Sequence, residues 1–214
     1  MSTLFCICSK SPNPFLYDCI ANLYKFNGAD IVKGKLCVVD SDSDNLTNYT
    51  KINNDFPDVE IFFIKNKNYE YGAWKYAYSM FPNYINYMCI QDTIITTNKV
   101  DFSIINNNNA YMFFDTSGYY SDSLQCKEFG ITALKDSGLN YTGIIDTHFN
   151  LAQHSCFIVT NEVIKDIFNT LRHAPLNKMG SCSYERLFGL YFILKHINTH
   201  NLYTYCNKIH GGRN

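Results

Sequence analysis

The feature that most constrains this chain is a repeated order: a short unbroken apolar run, a polar break, then a segment with apolar residues at helical spacing. Residues 4–8 form the first run and end in Ser9-Lys10-Ser11-Pro12-Asn13. A run of that length without alternation is the pattern of a strand covered on both faces. Asn13-Pro14 then offers a helix start, and Phe15, Cys19, Ile20, Leu23 and Phe26 share one face up to Asn27-Gly28, where the helix is predicted to stop. Residues 36–39 make a second strand, ending in the polar loop Asp40-Ser41-Asp42-Ser43-Asp44-Asn45, and residues 59–64 a third. A helical pattern through Trp74, Ala77, Tyr78 and Phe81 follows before Pro82. Strands at 87–90, ending in Gln91-Asp92-Thr93, and at 111–114, ending at Asp115, complete the series. Alternation of this kind predicts an α/β fold with a mostly parallel central sheet flanked by helices. Ligands of such sheets bind outside the carboxyl ends of the strands, where this chain carries Ser9, Lys10, Asp40, Asp42, Asn66, Gln91, Asp92 and Asp115.

The second half is less regular. A polar, glycine-bearing stretch at 117–142 reads as a lid or acceptor loop, and the asparagines at 106–109 as a surface loop. A strand at 156–159 leads into a helix capped near Thr160 or Asn161, with Val163, Ile164, Ile167, Phe168 and Leu171 inward. A last helix is predicted from Ser183, with Tyr184, Leu187, Tyr191 and Leu194 on its apolar face and Glu185 and Arg186 in its first turn. No repeat or linker divides the 214 residues, so one domain is expected, with a nucleotide-binding half at about 1–116 and an acceptor-side half at about 117–214.

Composition narrows the partners. With 18 Lys and Arg against 19 Asp and Glu there is no basic surplus to hold a phosphodiester backbone, which argues against nucleic acid. No stretch approaches the roughly 20 apolar residues of a spanning helix, and the first ten residues lack the form of a signal peptide, so a cytosolic protein is expected. Nine cysteines, an odd number without a Cys-x-x-Cys pair, read as reduced thiols packed as small hydrophobes.

Several residues can carry chemistry. A carboxylate at a buried strand end, such as Asp92, can hold a hard divalent cation that bridges two phosphates, or can simply cap the turn. Asp40 and Asp42 can accept hydrogen bonds from a ribose or a base, or can form a solvated loop. Lys10 and Lys75 are candidate phosphate or base contacts. Asp115 and Asp146 are further carboxylates able to meet sugar hydroxyls.

The order of these segments resembles the GT-A glycosyltransferases, a Rossmann-like fold. Asn66-Lys67-Asn68-Tyr69-Glu70-Tyr71-Gly72-Ala73-Trp74-Lys75 is similar to the segment of rhamnan-synthesis-type glycosyltransferases that opens a helix beside the nucleotide. Tyr87-Met88-Cys89-Ile90-Gln91-Asp92-Thr93 is similar to their next strand, and Gln153-His154-Ser155-Cys156-Phe157-Ile158-Val159 resembles their acceptor-side strand. The chain also resembles the amino-terminal glycosyltransferase domain of a chlorovirus protein that decorates the major capsid protein. The resemblance implies transfer of a hexose or deoxyhexose from a nucleoside diphosphate sugar, first of all a UDP sugar, to a glycan or glycoprotein acceptor such as a viral capsid glycan. It places Ser9, Lys10, Asp40, Asn66, Tyr71, Gly72, Lys75 and Gln91 around the donor. It makes Asp92 and His210 ligands of a divalent cation, manganese foremost, and Glu185 the general base. Two departures stand out: the usual Asp-x-Asp reads Gln91-Asp92-Thr93, and the usual glycine is Asn68. A domain of the same fold that only binds carbohydrate or a partner, or another nucleotide-binding transferase, are the alternative readings.

Overall fold

The computed structural model describes residues 2–10, 15–114, 117–118, 124–144 and 146–209. In chain order the strands and helices are β1 (Thr3–Ser9), α1 (Phe15–Lys33), β2 (Lys35–Ser41), α2 (Thr47–Asp55), β3 (Glu60–Ile64), α3 (Tyr69–Met80), β4 (Asn86–Gln91) and β5 (Ile94–Thr96), then β6 (Asn109–Met112), β7 (Ser117–Gly118), α4 (Leu124–Ser137), β8 (Phe149–Asn150), β9 (Phe157–Thr160), α5 (Asn161–Thr170), α6 (Lys178–Leu194), β10 (Asn198–Asn201) and β11 (Cys206–Lys208). The central sheet has seven strands in the order β10-β6-β9-β4-β1-β2-β3. Its pairs are parallel except where β9 runs against β4 and β6. The expected mostly parallel α/β architecture is what forms.

The unbroken apolar runs have a direct structural cause. Side chains alternate across a strand, and here both faces are covered. Leu4, Cys6, Cys37, Val39, Tyr87 and Cys89 pack on the side of α3, α5 and α6. Phe5, Ile7, Leu36, Val38, Met88 and Ile90 pack on the side of α1 and α2. The cysteines in these runs form no disulfide, and burial pushes the thiols of Cys6 and Cys89 well up. No helix among the described residues is long and apolar enough to cross a membrane.

Four sequence expectations change. Helix α1 continues past Asn27-Gly28 to Lys33, with a kink at Asn27 (φ −126°, ψ 18°). Asn27 is buried and its Oδ1 accepts the Val100 N–H at 3.0 Å, so a tertiary bond carries the helix across its stop signal. Past the polar loop at 40–45, a stretch for which no element was expected forms α2, which buries only Tyr49 and Ile52. The expected lid at 117–142 contains α4, which lies against α6 and buries Ala133 and Leu134. Helix α6 begins at Lys178, five residues before the expected Ser183, because Asn177 caps it by accepting the Gly180 N–H at 2.9 Å.

Candidate functional site

The chain builds β1, β2 and β3 outward in one direction, then crosses back to place β4 on the other side of β1. That reversal opens a crevice at the carboxyl ends of the strands, the usual ligand position in such sheets. A cleft of about 390 Å³ lies there. Its lining comes from the ends of β1 (Cys8, Lys10), β2 (Ser41, Asp42) and β4 (Gln91), the loop after β3 (Asn66, Lys67), the start of α3 (Tyr69, Glu70), and Leu176.

Each wall has a local cause. Asn66 folds its own loop: Nδ2 donates to Ser41 Oγ at 2.9 Å and to Tyr69 O at 2.7 Å, while Oδ1 accepts the Asn68 N–H at 2.9 Å. Gly72 allows this, since a Cβ there would meet Asn66 Oδ1 at 2.0 Å. Asp42 has φ 63°, the left-handed region that Asp tolerates better than most residues. Lys10 and Lys67 are exposed, and among the described residues neither forms an ion pair. The cleft thus offers two cations and two carboxylates, Asp42 and Glu70, to a polar ligand.

Several predicted residues sit elsewhere than expected. Asp40 is buried, and its carboxylate is engaged within its own loop: Oδ1 accepts the Ser43 N–H at 2.9 Å, and Oδ2 accepts the hydroxyls of Ser43 and Tyr49, both at 2.5 Å. The residue two positions on, Asp42, is the one that lines the cleft. Tyr71 is 1% exposed and donates its hydroxyl to Leu171 O at 2.7 Å, so it joins α3 to the end of α5. Burial pushes that phenol up to about 12. Gly72 and Lys75 border a separate groove with Ile64, Lys65 and Tyr76. The helical period explains this for Lys75, which six residues past Tyr69 has turned to another face of α3, whereas Gly72 is closed off by its close approach to the Asn66 side chain. Asp146 is exposed and pairs with Lys127 at 3.3 Å. Asp115 and His210 lie outside the described residues.

Asp92 is 0% exposed. Its Oδ2 accepts the Ser9 hydroxyl at 2.9 Å, and its N–H donates to Cys8 O at 3.0 Å, which ties the ends of β1 and β4 together. The flanking residues take part in a network that sequence reasoning did not assemble. Gln91 Nε2 donates to Glu70 Oε1 at 2.8 Å, and Ser181 Oγ donates to Glu70 Oε2 at 3.1 Å. Lys208 Nζ donates to Gln91 Oε1 at 2.6 Å and also to Thr93 Oγ1. Glu70 falls within the segment 66–75 singled out in the sequence, and Lys208 lies outside every segment singled out there. Their partnership depends on β11 returning to β5 over 100 residues later, which no local pattern announces.

Glu185 projects from the second turn of α6 and its Oε1 accepts the His154 N–H at 2.9 Å. Burial pushes its carboxyl up, with the nearby Glu70 carboxylate adding to the rise, against the lowering effect of the His154 N–H and Arg186. Glu185 and its neighbour Arg186 form no ion pair among the described residues; Arg186 Nη1 donates weakly to Cys182 O at 3.4 Å.

Divalent cations of this class want several oxygen ligands, most of them carboxylates or carbonyls in an open shell. The strand end offers one buried carboxylate with an ammonium beside its neighbours, and no group of three His, Cys, Asp or Glu side chains among the described residues could hold a metal ion. Among the described residues the strand end alone does not complete such a shell, and His210, the other expected ligand, lies outside them.

No protein-family model matches the sequence, and no curated protein matches it either. Solved structures do. The chain superposes on TarS of S. aureus with TM-score 0.58 at 10% identity, covering 96% of this chain and 36% of TarS. A TarS structure of residues 1–349 gives TM-score 0.56 at 10% identity, covering 96% and 60%. Core-mannan synthase A (CmsA/Ktr4) of Aspergillus fumigatus, in its Mn/GDP form, gives TM-score 0.56 at 10% identity, covering 98% and 75%. This chain therefore spans only about a third of TarS itself. What these likenesses show is the fold, and that fold is the one of GT-A glycosyltransferase structures.

Proposed function

We propose that this chain is a glycosyltransferase that moves a hexose or deoxyhexose from a nucleoside diphosphate sugar, UDP sugars foremost, to a glycan or glycoprotein acceptor. The observation that carries the reading is the cleft of about 390 Å³ at the topological switch of a GT-A-type sheet, with Lys10 and Lys67 on its wall. Two cations suit a diphosphate, and Asp42 suits ribose hydroxyls, to which a carboxylate can only accept. Support for the ligand class comes from core-mannan synthase A, which has the same fold and was solved with manganese and GDP.

In this reading the bond between the anomeric carbon and the β-phosphate oxygen breaks, and its electron pair leaves with the diphosphate. The acceptor oxygen forms the new bond to that carbon and gives its proton to the Glu185 carboxylate. A base with a raised pKa is better matched to a hydroxyl proton near neutral pH than an ordinary carboxylate. A second reading, a domain of this fold that binds carbohydrate without transfer, is favoured by Gln91 and Thr93 standing where carboxylates are usual.

Calorimetric titration with UDP, GDP and their common sugars tests the proposal. Binding of one nucleotide family, with slow hydrolysis of its sugar when no acceptor is present, is the expected result. A folded protein that binds none of them would sink the donor-site reading. Binding without any hydrolysis or transfer would favour the second.

A further inference from the structure

Glu70, in the first turn of α3, is a cleft carboxylate held from two sides. Gln91 Nε2, at the end of β4, donates to its Oε1 at 2.8 Å, and Ser181 Oγ, on α6, donates to its Oε2 at 3.1 Å. The Gln91 amide is itself oriented, because its Oε1 accepts from Lys208 Nζ at 2.6 Å. Only a carboxamide can do both, donating to Glu70 through its NH2 while accepting through its oxygen. The carboxylate usual at position 91 would have no donor and would repel Glu70. The departure from Asp-x-Asp at Gln91 therefore fixes the Glu70 carboxylate. Each Glu70 oxygen takes one of these bonds, and a carboxylate has about four acceptor positions, so about two remain for donors from a ligand.

The place of Glu70 along the cleft says which part of a ligand supplies those donors. The sheet runs β4-β1-β2-β3 here, with Asp42 just past the end of β2, Lys10 just past β1, and Gln91 closing β4. The ends of β2 and β4 are two strand spacings apart, about 10 Å. With the ribose at Asp42 and the diphosphate at the β1 end beside Lys10, the sugar falls at the β4 end, on Glu70. The base of the proposed reaction lies on that side too. Ser181 and Glu185 are one turn apart on α6 and share a face; burial raises the Glu185 carboxyl, and the Glu70 carboxylate is close enough to add to the rise. We propose that Glu70 is the specificity-determining contact for the transferred sugar: its carboxylate accepts that sugar's hydroxyls, so the donor carries a neutral, polyhydroxylated sugar and a uronic acid is refused. A hydroxyl can donate to a carboxylate, whereas a second carboxylate cannot and meets Glu70 as a like charge. The inference rests on the cleft being a nucleotide-sugar site with the ribose at Asp42.

The test is calorimetric titration of the full chain as wild type, Glu70→Gln and Glu70→Ala, with thermal unfolding to check each variant. The ligands are UDP, UDP-glucose, UDP-galactose and UDP-glucuronate, and GDP, GDP-mannose and GDP-mannuronate. For the nucleotide family that binds, Glu70→Gln should leave affinity for the bare nucleotide within about twofold of wild type and weaken binding of the neutral sugar nucleotide about tenfold, the lower end for a hydrogen bond to a charged group. Wild type should bind the uronate at least about tenfold more weakly than the best neutral sugar of that family, and Glu70→Gln should narrow the gap. A folded Glu70→Gln that weakens nucleotide and sugar nucleotide alike, or neither, overturns the inference and leaves Glu70 a structural residue. Wild type that binds the uronate as tightly as the neutral sugars overturns it too, as does wild type that binds the bare nucleotide and none of the neutral sugars. If both variants fail to fold, the comparison of uronate with neutral sugar on wild type decides the matter. No binding of either bare nucleotide by folded wild type is a separate outcome, and it removes the donor-site reading itself.

Discussion

Glu185 Oε1 accepts the backbone N–H of His154 at 2.9 Å, and that bond holds a residue in the left-handed region, with φ 60° followed by φ 53° at Ser155. Trp74 Nε1 donates to Ser155 O at 3.2 Å and fixes the pair from the α3 side. Two consecutive non-glycine residues at positive φ are costly and persist only where the surroundings over-determine them. The same contact orients a carboxylate whose proton affinity burial has raised.

A general base must be deprotonated to act, so activity is lost as pH falls through that raised pKa. The acid limb of kcat/KM should lie above the usual carboxylate range. Glu185→Gln should lower kcat by about 10²- to 10⁴-fold, the typical contribution of a positioned base. Because the folded pKa is raised, this carboxyl favours the native state at low pH and that contribution is lost as pH rises through the folded value. Glu185→Gln, which keeps an acceptor for His154, should therefore be at least as stable as wild type at pH 7 by thermal unfolding. A variant that loses stability and activity together would assign Glu185 to structure alone.

Asp40 and Asp42 separate a structural from a binding role two residues apart. Tyr49 donates to a buried carboxylate, so Tyr49→Phe should cost about 1.5–3 kcal/mol in denaturant unfolding, the range for hydrogen bonds to charged groups. Asp42 is exposed on the cleft. Asp42→Ala should leave unfolding almost unchanged while weakening nucleotide binding by about tenfold, and the reverse pattern would return the ligand contact to Asp40.

The central sheet was legible because burial on both faces writes itself as continuous apolar runs, and 4–8, 36–39 and 87–90 each fall inside an observed strand. The switch-point cleft followed from that order, since strand ends in a parallel sheet gather their polar residues on one side. Helices α2 and α4 were not legible because each buries few residues and takes its stability from contacts elsewhere, Tyr49 on Asp40 in one case and α6 in the other. Within the site, residues next to strand ends were found, but the faces of α3 were not told apart, so Tyr71 and Lys75 were placed around the donor and Glu70, which lines the cleft, was not. The Lys208–Gln91 contact spans 117 residues and depends on strand pairing, which period and spacing do not encode.

Gly72 shows how closely the cleft depends on the absence of a side chain. A Cβ there would lie 2.0 Å from Asn66 Oδ1 and 2.9 Å from Asn68 Cβ, and the Asn66 amide has three hydrogen bonds to lose. Gly72→Ala gains helix propensity yet forces the 66–69 loop to move. It should destabilise by about 1–3 kcal/mol, the usual range for overpacking, and weaken nucleotide binding as well. Unaltered binding in this variant would show that the Asn66 loop does not shape the ligand site.

Asp92 brings the site and the fold to one atom group. Its carboxylate is fully buried and takes the Ser9 hydroxyl, while the ammonium of Lys208 sits on the residues to either side. Burial pushes the Cys19 thiol well up, with the Asp92 carboxylate adding to the rise and the Lys208 ammonium opposing it. A carboxylate that acted only by holding a cation for the diphosphate could be removed without cost to stability, and its loss would be felt only when manganese is present. A carboxylate that braces β1 against β4 behaves differently. Asp92→Ala leaves the Ser9 hydroxyl without its acceptor and should cost about 1–3 kcal/mol in denaturant unfolding. Nucleotide binding should weaken by the same factor in EDTA and in manganese, because the cleft floor is displaced in both. Asp92→Asn keeps an oxygen for Ser9 and should recover most of the stability. If Asp92→Ala unfolds as wild type does and abolishes binding only in manganese, Asp92 is a metal ligand and the bracing role is wrong.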